Sequence, residues 1–379
     1  MNLDQLRTDI DKIDRQLLDL FVNRMRLCQQ VADYKMQNGL PVFQSKRENE
    51  ILEKIGDNSP EDLSNSAKLL FSEIMNISKC LQKNKLTRLE PVEAAEPVKK
   101  PVVACPGIKG SYCEQSVYKA FGDNLDRIEY FPSFDDVFEA VDKGKADYGM
   151  VALENSTAGG VSDTYDLMGK YDLHIVKRVS IPINHVLAMK KGGDISKLTI
   201  ILSHEQALHQ CAGFIKANPE YKTKEMLNTS IAAKTVADSD DVTLGCICSE
   251  GCAKLYGLEP VKRNIVDNSE NFTRFICISK KLELPEDADV ISICLSLPHT
   301  TGSLYRTLTQ FAVEGLNILK IESKPLPAQV AELREENFDV IFYMDFEGNM
   351  HSENVAKLLQ NLQNDMKYYK LLGNYKDMP

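Results

Sequence analysis

The sequence feature that most constrains the fold is an apolar stripe that runs through the first 35 residues. Apolar residues recur at helical spacing from Leu3 to Val31, and Asn2 stands where its side chain can cap the first turn. Gly39 and Pro41 then predict the end of this helix. A helix of about 33 residues is about 50 Å long, more than a small globular segment can cover. We therefore predict that a second copy of the chain covers the stripe, in a homodimer or a higher homo-oligomer.

The remainder of the first 88 residues is also predicted to be helical. A second helix begins near Lys46, and a third runs from about Glu61 to Asn84. The next stretch, residues 89–101, contains three prolines and no aromatic residue, which is typical of a linker. We therefore predict an all-α domain over residues 1–88 and a domain boundary in the linker.

Beyond the linker, short apolar runs alternate with amphipathic segments, as in DYGMVAL followed by VSDTYDLMGKY. This alternation predicts an α/β domain over residues 102–281. A polar break over residues 280–289 contains a proline and precedes a last domain, residues 289–379. The order of strand-like and helix-like segments in that domain predicts an α+β fold of the form βαββαβ.

Charge and hydropathy restrict the class of partner. The net charge of −10 argues against nucleic acid or an anionic membrane, because both require clustered cations. No apolar stretch has the length of a membrane span, and the first residues do not have the pattern of a secretory signal. We therefore predict a cytoplasmic protein whose anionic ligands are met by cations gathered in pockets.

The ten cysteines are irregularly spaced, and several lie in apolar runs where a reduced cysteine acts as a small hydrophobic residue. Cys246, Cys248 and Cys252 come nearest to a metal-binding cluster, but a buried strand explains them better. We predict no metal site and no cofactor.

Two cations of the first helix are placed to hold one small anion. Arg24 and Lys35 are eleven residues apart, so about 100° per residue brings them to one face of the helix. Arg7 points about 100° away from that face and is better placed to reach a site on another protomer. Spacing alone leaves open the alternative that these cations are solvated or paired with nearby acids.

The same segment, LRTDIDKIDRQLLDLFVNRMRLCQQVADYK, together with GLPVFQSKRENEIL and LLFSEIMNISKCLQ, resembles the all-helical chorismate mutase family. The resemblance implies that Arg7 of a partner chain, with Arg24 and Arg47 of the home chain, binds the two carboxylates of chorismate. Ser78 would help to fix a carboxylate.

The chemistry of a Claisen rearrangement fits the remaining residues of that resemblance. Lys35 and Gln82 would donate to the ether oxygen as its bond breaks, and Glu48 would hold the ring hydroxyl. Gln44 stands where a close relative has an acidic residue, which leaves its contact with the ligand open. The reaction needs a compact conformer and donors where negative charge develops, and it needs no nucleophile.

Four polar clusters of the α/β segment stand where strands give way to helices, the place where open α/β folds bind ligands. They could surround one carboxylate-bearing ligand, although each alone could be only a helix cap. The clusters are Gly110-Ser111-Tyr112, Glu154-Asn155-Ser156, Ser203-His204 with Gln206 and Gln210, and Asn228-Thr229-Ser230.

The motifs KGSY, ADYGMVALENSTAGGVSDTYDL, ILSHEQALHQC and NIVDNSENFTRF together resemble the prephenate dehydratase family, in family order over residues 102–280. The resemblance implies a two-lobed fold like that of periplasmic binding proteins. It also implies that Thr273 donates a hydrogen bond to the departing hydroxyl. Glu205 and Cys113-Glu114 depart from the family pattern. The residues implied to bind prephenate are Ser111, Glu154, Asn155, Ser156, Ser203, Gln210, Thr229, Ser230, Asn271, Arg274 and Phe275.

The last segment resembles the ACT domain in its phenylalanine-sensing form, with Lys324 where the family more often has Arg. Such a segment could also serve only for dimerisation. The residues implied to bind phenylalanine are Gly302, Ser303, Leu304, Glu322, Ser323, Lys324 and Pro325.

These resemblances predict a bifunctional enzyme of phenylalanine biosynthesis with chorismate and prephenate as substrates and L-phenylalanine as effector. One alternative is a monofunctional dehydratase whose helical domain only dimerises the chain. A second is a two-lobed ligand sensor without enzymatic activity.

Overall fold

The computed structural model describes residues 2–39, 45–326 and 340–379. The described residues form two compact units. The first unit contains the described residues up to 92 together with 294–326 and 340–370, and the second contains 93–293 and 371–379. The first unit thus joins two parts of the chain that are far apart in sequence.

The helices are α1 (Leu3–Gln37), α2 (Ser45–Asp57), α3 (Ser64–Leu86), α4 (Tyr112–Phe121), α5 (Phe134–Asp142), α6 (Ser162–Lys170), α7 (Glu205–Gln210), α8 (Ala212–Ala217), α9 (Thr229–Asp238), α10 (Glu250–Leu255), α11 (Ser303–Val313) and α12 (Glu353–Asp365). A 3-10 turn covers Ile195–Lys197.

The strands are β1 (Val102–Pro106), β2 (Arg127–Phe131), β3 (Tyr148–Asn155), β4 (Gly159–Gly160), β5 (His174–Pro182), β6 (Val186–Lys190), β7 (Ile200–Ser203), β8 (Lys222–Glu225), β9 (Leu244–Cys248), β10 (Leu258–Lys262), β11 (Phe272–Ser279), β12 (Val290–Ser296), β13 (Ile318–Pro325), β14 (Val340–Glu347) and β15 (Tyr369–Met378).

The predicted N-terminal helices are confirmed. The side chain of Asn2 accepts a hydrogen bond from the Asp4 N–H at 3.3 Å and so caps α1. Both α1 and α2 pack against α3. Much of the apolar stripe remains exposed, with Ile10 at 55% and Leu20 at 67% of their full accessibility. The described part of the chain therefore does not cover this face of α1.

The second unit contains two sheets. In one of them, β11 lies between β3 and β5 and is antiparallel to both, while β1 is parallel to β2 and β3. The other has the strand order β10-β6-β9-β7-β8. Each sheet has its own core, so the predicted α/β alternation yields two lobes. Cys246 and Cys248 are fully buried in β9, which confirms the buried strand for these two residues. For Cys252 the prediction of a strand is wrong: it is buried in α10, a helix that the side chain of Ser249 caps.

The C-terminal elements follow the predicted order βαββαβ, from β12 to β15. Strands β13 and β14 pair antiparallel, with Glu322 opposite Tyr343. The last residues of β15 add a parallel strand to β5, where Arg178 donates to Asp377 at 2.8 Å. Among the described residues, no helix is both long enough and apolar enough to cross a bilayer.

The contact of β15 with β5 predicts a strong effect at Gly373. A Cβ atom at Gly373 would lie 2.0 Å from the carbonyl oxygen of Ile175, a backbone atom that cannot move aside alone. We expect Gly373→Ala to destabilise the second unit by at least about 1–3 kcal/mol, the usual cost of overpacking. Thermal unfolding of the full chain measures the effect.

Gly251→Ala is the matched control, because a Cβ atom there meets no heavy atom within 4 Å and the residue lies in α10. Alanine in a helix is favoured over glycine by about 0.5–1 kcal/mol, so this variant should unfold at the same temperature or higher. Equal unfolding temperatures for the two variants would contradict the close approach of β15 to β5.

Two candidate active sites and a C-terminal cavity

The three N-terminal helices bring predicted polar residues together on α3. Ser78 and Gln82 are buried one turn apart, and Gln82 Nε2 donates to Ser78 Oγ at 3.0 Å. Gln82 Oε1 is buried and has no hydrogen-bond partner in the described part of the chain. Since the amide can be turned over, one of its polar atoms remains for a ligand in either orientation. An unpaired buried polar atom costs about 1–3 kcal/mol, which a bound ligand would recover.

Glu48 of α2 faces the same helix. Its carboxylate pairs with Lys79 Nζ at 3.1 Å, and both side chains are mostly buried. Sequence reasoning missed Lys79, although it stands three residues before Gln82 and so lies on the same side of α3. The pair adds a cation and an acid to the polar cluster of Ser78 and Gln82.

The other predicted residues of this site are more dispersed. Arg24 and Lys35 are half-buried on α1. Arg47 is exposed and lies 3.3 Å from Glu50, and Arg7 is exposed and lies 3.7 Å from Asp4. Gln44, which was also predicted to bind the ligand, lies outside the described residues.

The second unit contains a cavity of ≈ 620 Å³ whose lining residues come from the connections of both sheets. Six of the residues predicted to act on or bind prephenate line it: Ser111, Asn155, Gln210, Thr229, Thr273 and Phe275. The sequence motifs that contain these residues are up to about 160 residues apart. Strand pairing brings them together: Thr273 of β11, for example, lies opposite Asn155 of β3.

The amide of Asn155 orients Thr273. Asn155 Oδ1 accepts from the backbone N–H groups of Thr157 and Ala158, each at 3.1 Å. Its Nδ2 donates to the Phe272 carbonyl and to Thr273 Oγ1, each at 3.0 Å. The N–H groups of Thr157 and Ala158 identify one amide atom of Asn155 as the oxygen, and the Phe272 carbonyl identifies the other as the nitrogen. Thr273 Oγ1 must therefore be the acceptor of the hydrogen bond from Nδ2. The hydroxyl hydrogen of Thr273 is then available to a molecule in the cavity.

Two further polar residues, Gln210 and His185, continue the chain of hydrogen bonds from Asn155 along the cavity wall. Gln210 Nε2 donates to Asn155 Oδ1 at 3.4 Å, so Gln210 Oε1 faces His185 Nε2 at 3.1 Å. On the other side of the ring, the Tyr112 hydroxyl donates to the Asn184 carbonyl at 2.7 Å and lies 3.2 Å from His185 Nδ1. Burial lowers the pKa of His185 to about 4, so the ring is neutral near pH 7. No sequence motif identified His185, which lies between β5 and β6, whereas His204, named in one of the polar clusters, also lines the cavity.

Six other predicted residues do not line this cavity. Ser203 Oγ donates to the Ile247 carbonyl at 2.7 Å, and Arg274 pairs with Glu154. Asn271 Oδ1 accepts from Asn155 at 2.8 Å. The remaining two are Ser156, which accepts from the Phe272 N–H at 3.0 Å, and Ser230, which is buried in α9.

The C-terminal segment contains a separate cavity of ≈ 360 Å³ between the start of α11 and β14. Ser303 and Leu304 line it. Gly302 precedes them with φ +79°, a left-handed conformation that favours glycine. Lys324 lies on β13, opposite Ile341, and its Nζ is 3.3 Å from Glu322. Ser323 and Pro325 lie on the same strand.

Comparison with known proteins gives matches for both regions. Residues 6–83 match the family model of chorismate mutase type II, and residues 103–283 match that of prephenate dehydratase. A bifunctional chorismate mutase/prephenate dehydratase of Aquifex aeolicus is 32% identical over 385 aligned positions, which cover 98% of this chain and 97% of the relative.

Two solved structures have the same fold over most of the chain. The prephenate dehydratase of Arthrobacter aurescens, in complex with L-Phe, is 27% identical with a TM-score of 0.64 and covers 72% of this chain and 89% of its own. GqqA, described as a novel type of quorum quenching acylase, is 26% identical with a TM-score of 0.64 and covers 73% of this chain and 98% of its own.

The relative from Aquifex aeolicus carries both activities in its name and aligns with this chain over almost its whole length. The two family models match separate regions that correspond to the helical cluster of α1–α3 and to the cavity around Thr273. The chain therefore belongs to the bifunctional chorismate mutase/prephenate dehydratase family.

Proposed function

We propose that the helical part of the chain rearranges chorismate to prephenate and that the second unit converts prephenate to phenylpyruvate. The observation that carries the second step is the Thr273 hydroxyl, which Asn155 holds with its hydrogen available to the cavity. The chain would use the domains predicted from sequence, residues 1–88, 102–281 and 289–379, with 89–101 as linker. Ten free thiols support a reducing, cytoplasmic location.

The mutase site would act by holding chorismate in its reactive conformation and by stabilising the negative charge that develops in the transition state. Arg24 and Arg47 would hold the carboxylates of chorismate in the compact conformer, while Lys35 and Gln82 donate to the ether oxygen as the C–O bond breaks. The buried, unpaired amide atom of Gln82 supports this role. Glu48, which pairs with Lys79, would accept from the ring hydroxyl.

This site would be completed by a second copy of the chain. The exposed apolar face of α1 supports a dimer, because such a stripe is costly in water. Arg7 lies on α1 almost five turns before Arg24 and could reach the ligand only from the partner. A C2 arrangement would supply each site with one such arginine.

In the dehydratase site, the carboxylate on the prephenate ring leaves as carbon dioxide, and its bond electrons complete the aromatic ring. The ring C–O bond breaks at the same time, and the departing hydroxide takes up a proton to leave as water. Thr273 would donate to this oxygen as negative charge develops on it. No cofactor is needed, because aromatisation supplies the driving force.

The C-terminal segment, an ACT domain in this proposal, would bind L-phenylalanine and lower dehydratase activity. The cavity beside Ser303 and Leu304 supports this proposal, as does the complex of the Arthrobacter aurescens enzyme with L-Phe. An effector acts at a distance only through different affinities for two states of the protein.

The separation of the two sites predicts selective losses of activity. Arg24→Ala and Lys35→Ala should each lower chorismate mutase turnover about a hundredfold or more, because each removes a charge-assisted contact that stabilises the transition state. Dehydration of supplied prephenate should remain nearly unchanged. Lys54→Ala, at an exposed position of α2, is the control. Equal loss of both activities in a folded variant would refute two independent sites.

The reciprocal test is at Thr273. Thr273→Val keeps the shape but removes the donor, so dehydratase turnover should fall about a hundredfold or more while mutase turnover is retained. Thr273→Ser keeps a hydroxyl and should retain part of the activity. Steady-state assays on each substrate measure both, and full dehydratase activity in the valine variant would refute the role of Thr273.

Regulation is tested with calorimetry and inhibition by L-phenylalanine. Leu304→Lys should abolish saturable binding and inhibition by filling the cavity with a charged chain, whereas Leu319→Lys, at an exposed position of β13, should not. Lys324→Arg should tighten binding if that side chain contacts the ligand, since Arg offers a planar set of donors. Unchanged inhibition in Leu304→Lys would place the effector elsewhere.

A further inference from the structure

The first unit contains another cavity, of ≈ 250 Å³, between α3 and the C-terminal segment. Its walls carry Asn76, Lys79 and Lys83 of α3 and Leu297, Arg306 and Met366 of the C-terminal segment. The volume is slightly below the range of about 300–1,000 Å³ usual for drug-sized ligands. The cavity therefore suits a small metabolite.

Asn76 offers this cavity a hydrogen-bond donor. The residue is only 6% exposed, and its Nδ2 has no hydrogen-bond partner among residues 2–39, 45–326 and 340–379. Buried amide groups are almost always paired in native proteins, because an orphan donor loses its hydrogen bonds to water. An acceptor atom of a ligand would pair it.

The charges around the cavity favour an anion. Lys79 pairs with Glu48, and Lys83 pairs with Asp365. Arg306 donates to the Thr301 carbonyl at 3.0 Å and approaches the hydroxyls of Thr300 and Ser303, and it meets no carboxylate in the described residues. Its guanidinium can therefore take a ligand carboxylate, and the only acidic residue in the lining, Asp365, is already paired.

Leu297 and Met366 complete the wall with apolar surface, as does Pro298. A ligand that matches all three features has one carboxylate for Arg306, a further acceptor for Asn76 and an apolar body. Because Lys79 and Lys83 are each paired with an acid, Arg306 gives the lining a net positive charge, which disfavours an ammonium group. We propose that this cavity binds a small apolar monocarboxylate without an ammonium group. If the proposed function holds, phenylpyruvate is the member of this class that the chain itself releases.

The test is calorimetric titration of the full chain with 3-phenylpropionate, phenylpyruvate and L-phenylalanine. Asn76→Leu replaces the orphan amide by an apolar group of similar size, and Arg306→Gln removes an exposed charge. Arg306→Gln should weaken one binding component of both acids about tenfold or more, and Asn76→Leu should do the same for phenylpyruvate, whose keto oxygen is the further acceptor. Arg127→Gln, an exposed arginine of the second unit that is paired with Glu129, is the control and should change nothing.

Thermal unfolding separates ligand binding from structure. Asn76→Leu should unfold at the same temperature or higher, because it removes an unpaired buried donor, and Arg306→Gln keeps the test decisive if Asn76→Leu misfolds. The proposal is overturned if neither acid has a component that depends on Asn76 or Arg306. It is equally overturned if L-phenylalanine has a binding component that depends on Asn76, which lines this cavity and not the one beside Leu304. The 3-phenylpropionate titration does not depend on catalysis, so it stands even if the chain forms no phenylpyruvate.

Discussion

The hydrogen bonds between α3 and the two C-terminal helices hold the first unit together. Glu73 of α3 accepts from Tyr305 of α11 at 2.7 Å, across 232 residues of sequence. Thr87, at the end of α3, donates to Asn361 of α12 at 2.5 Å. Helix α3 thus carries Gln82 of the proposed mutase site and also supports the segment proposed to sense phenylalanine. A change in the packing of α11 on α3 would reach both sites through one rigid element.

In the second unit, the amide of Asn155 has a comparable role. Two backbone N–H groups and one backbone carbonyl determine its orientation, and that orientation makes Thr273 a donor toward the cavity. Through Gln210 it is also connected to the buried ring of His185. Such preorganised donors cost no reorganisation during the reaction, which is how enzymes stabilise developing negative charge.

Local pattern was sufficient for most of the secondary structure. The period of the apolar residues indicated α1 over its whole length, and Asn2 caps it as predicted, since capping depends on residues within one turn. The βαββαβ order of the C-terminal segment was also readable, because strand and helix periodicities differ. The pairing of β15 with β5 could not be predicted from the sequence, because strand pairing between distant segments leaves no local signal.

For the sites, sequence by itself determined the residue types and their family motifs, and through them the chemistry proposed for Arg24, Lys35 and Thr273. Only the tertiary structure decided which residues of the polar clusters reach the cavity: Thr229 does, whereas Ser203 turns to the Ile247 carbonyl. It alone identified Lys79 beside Glu48. The reason is physical: propensity and periodicity act over a few residues, whereas burial, charge pairing and side-chain direction are set by neighbours that are distant in the chain.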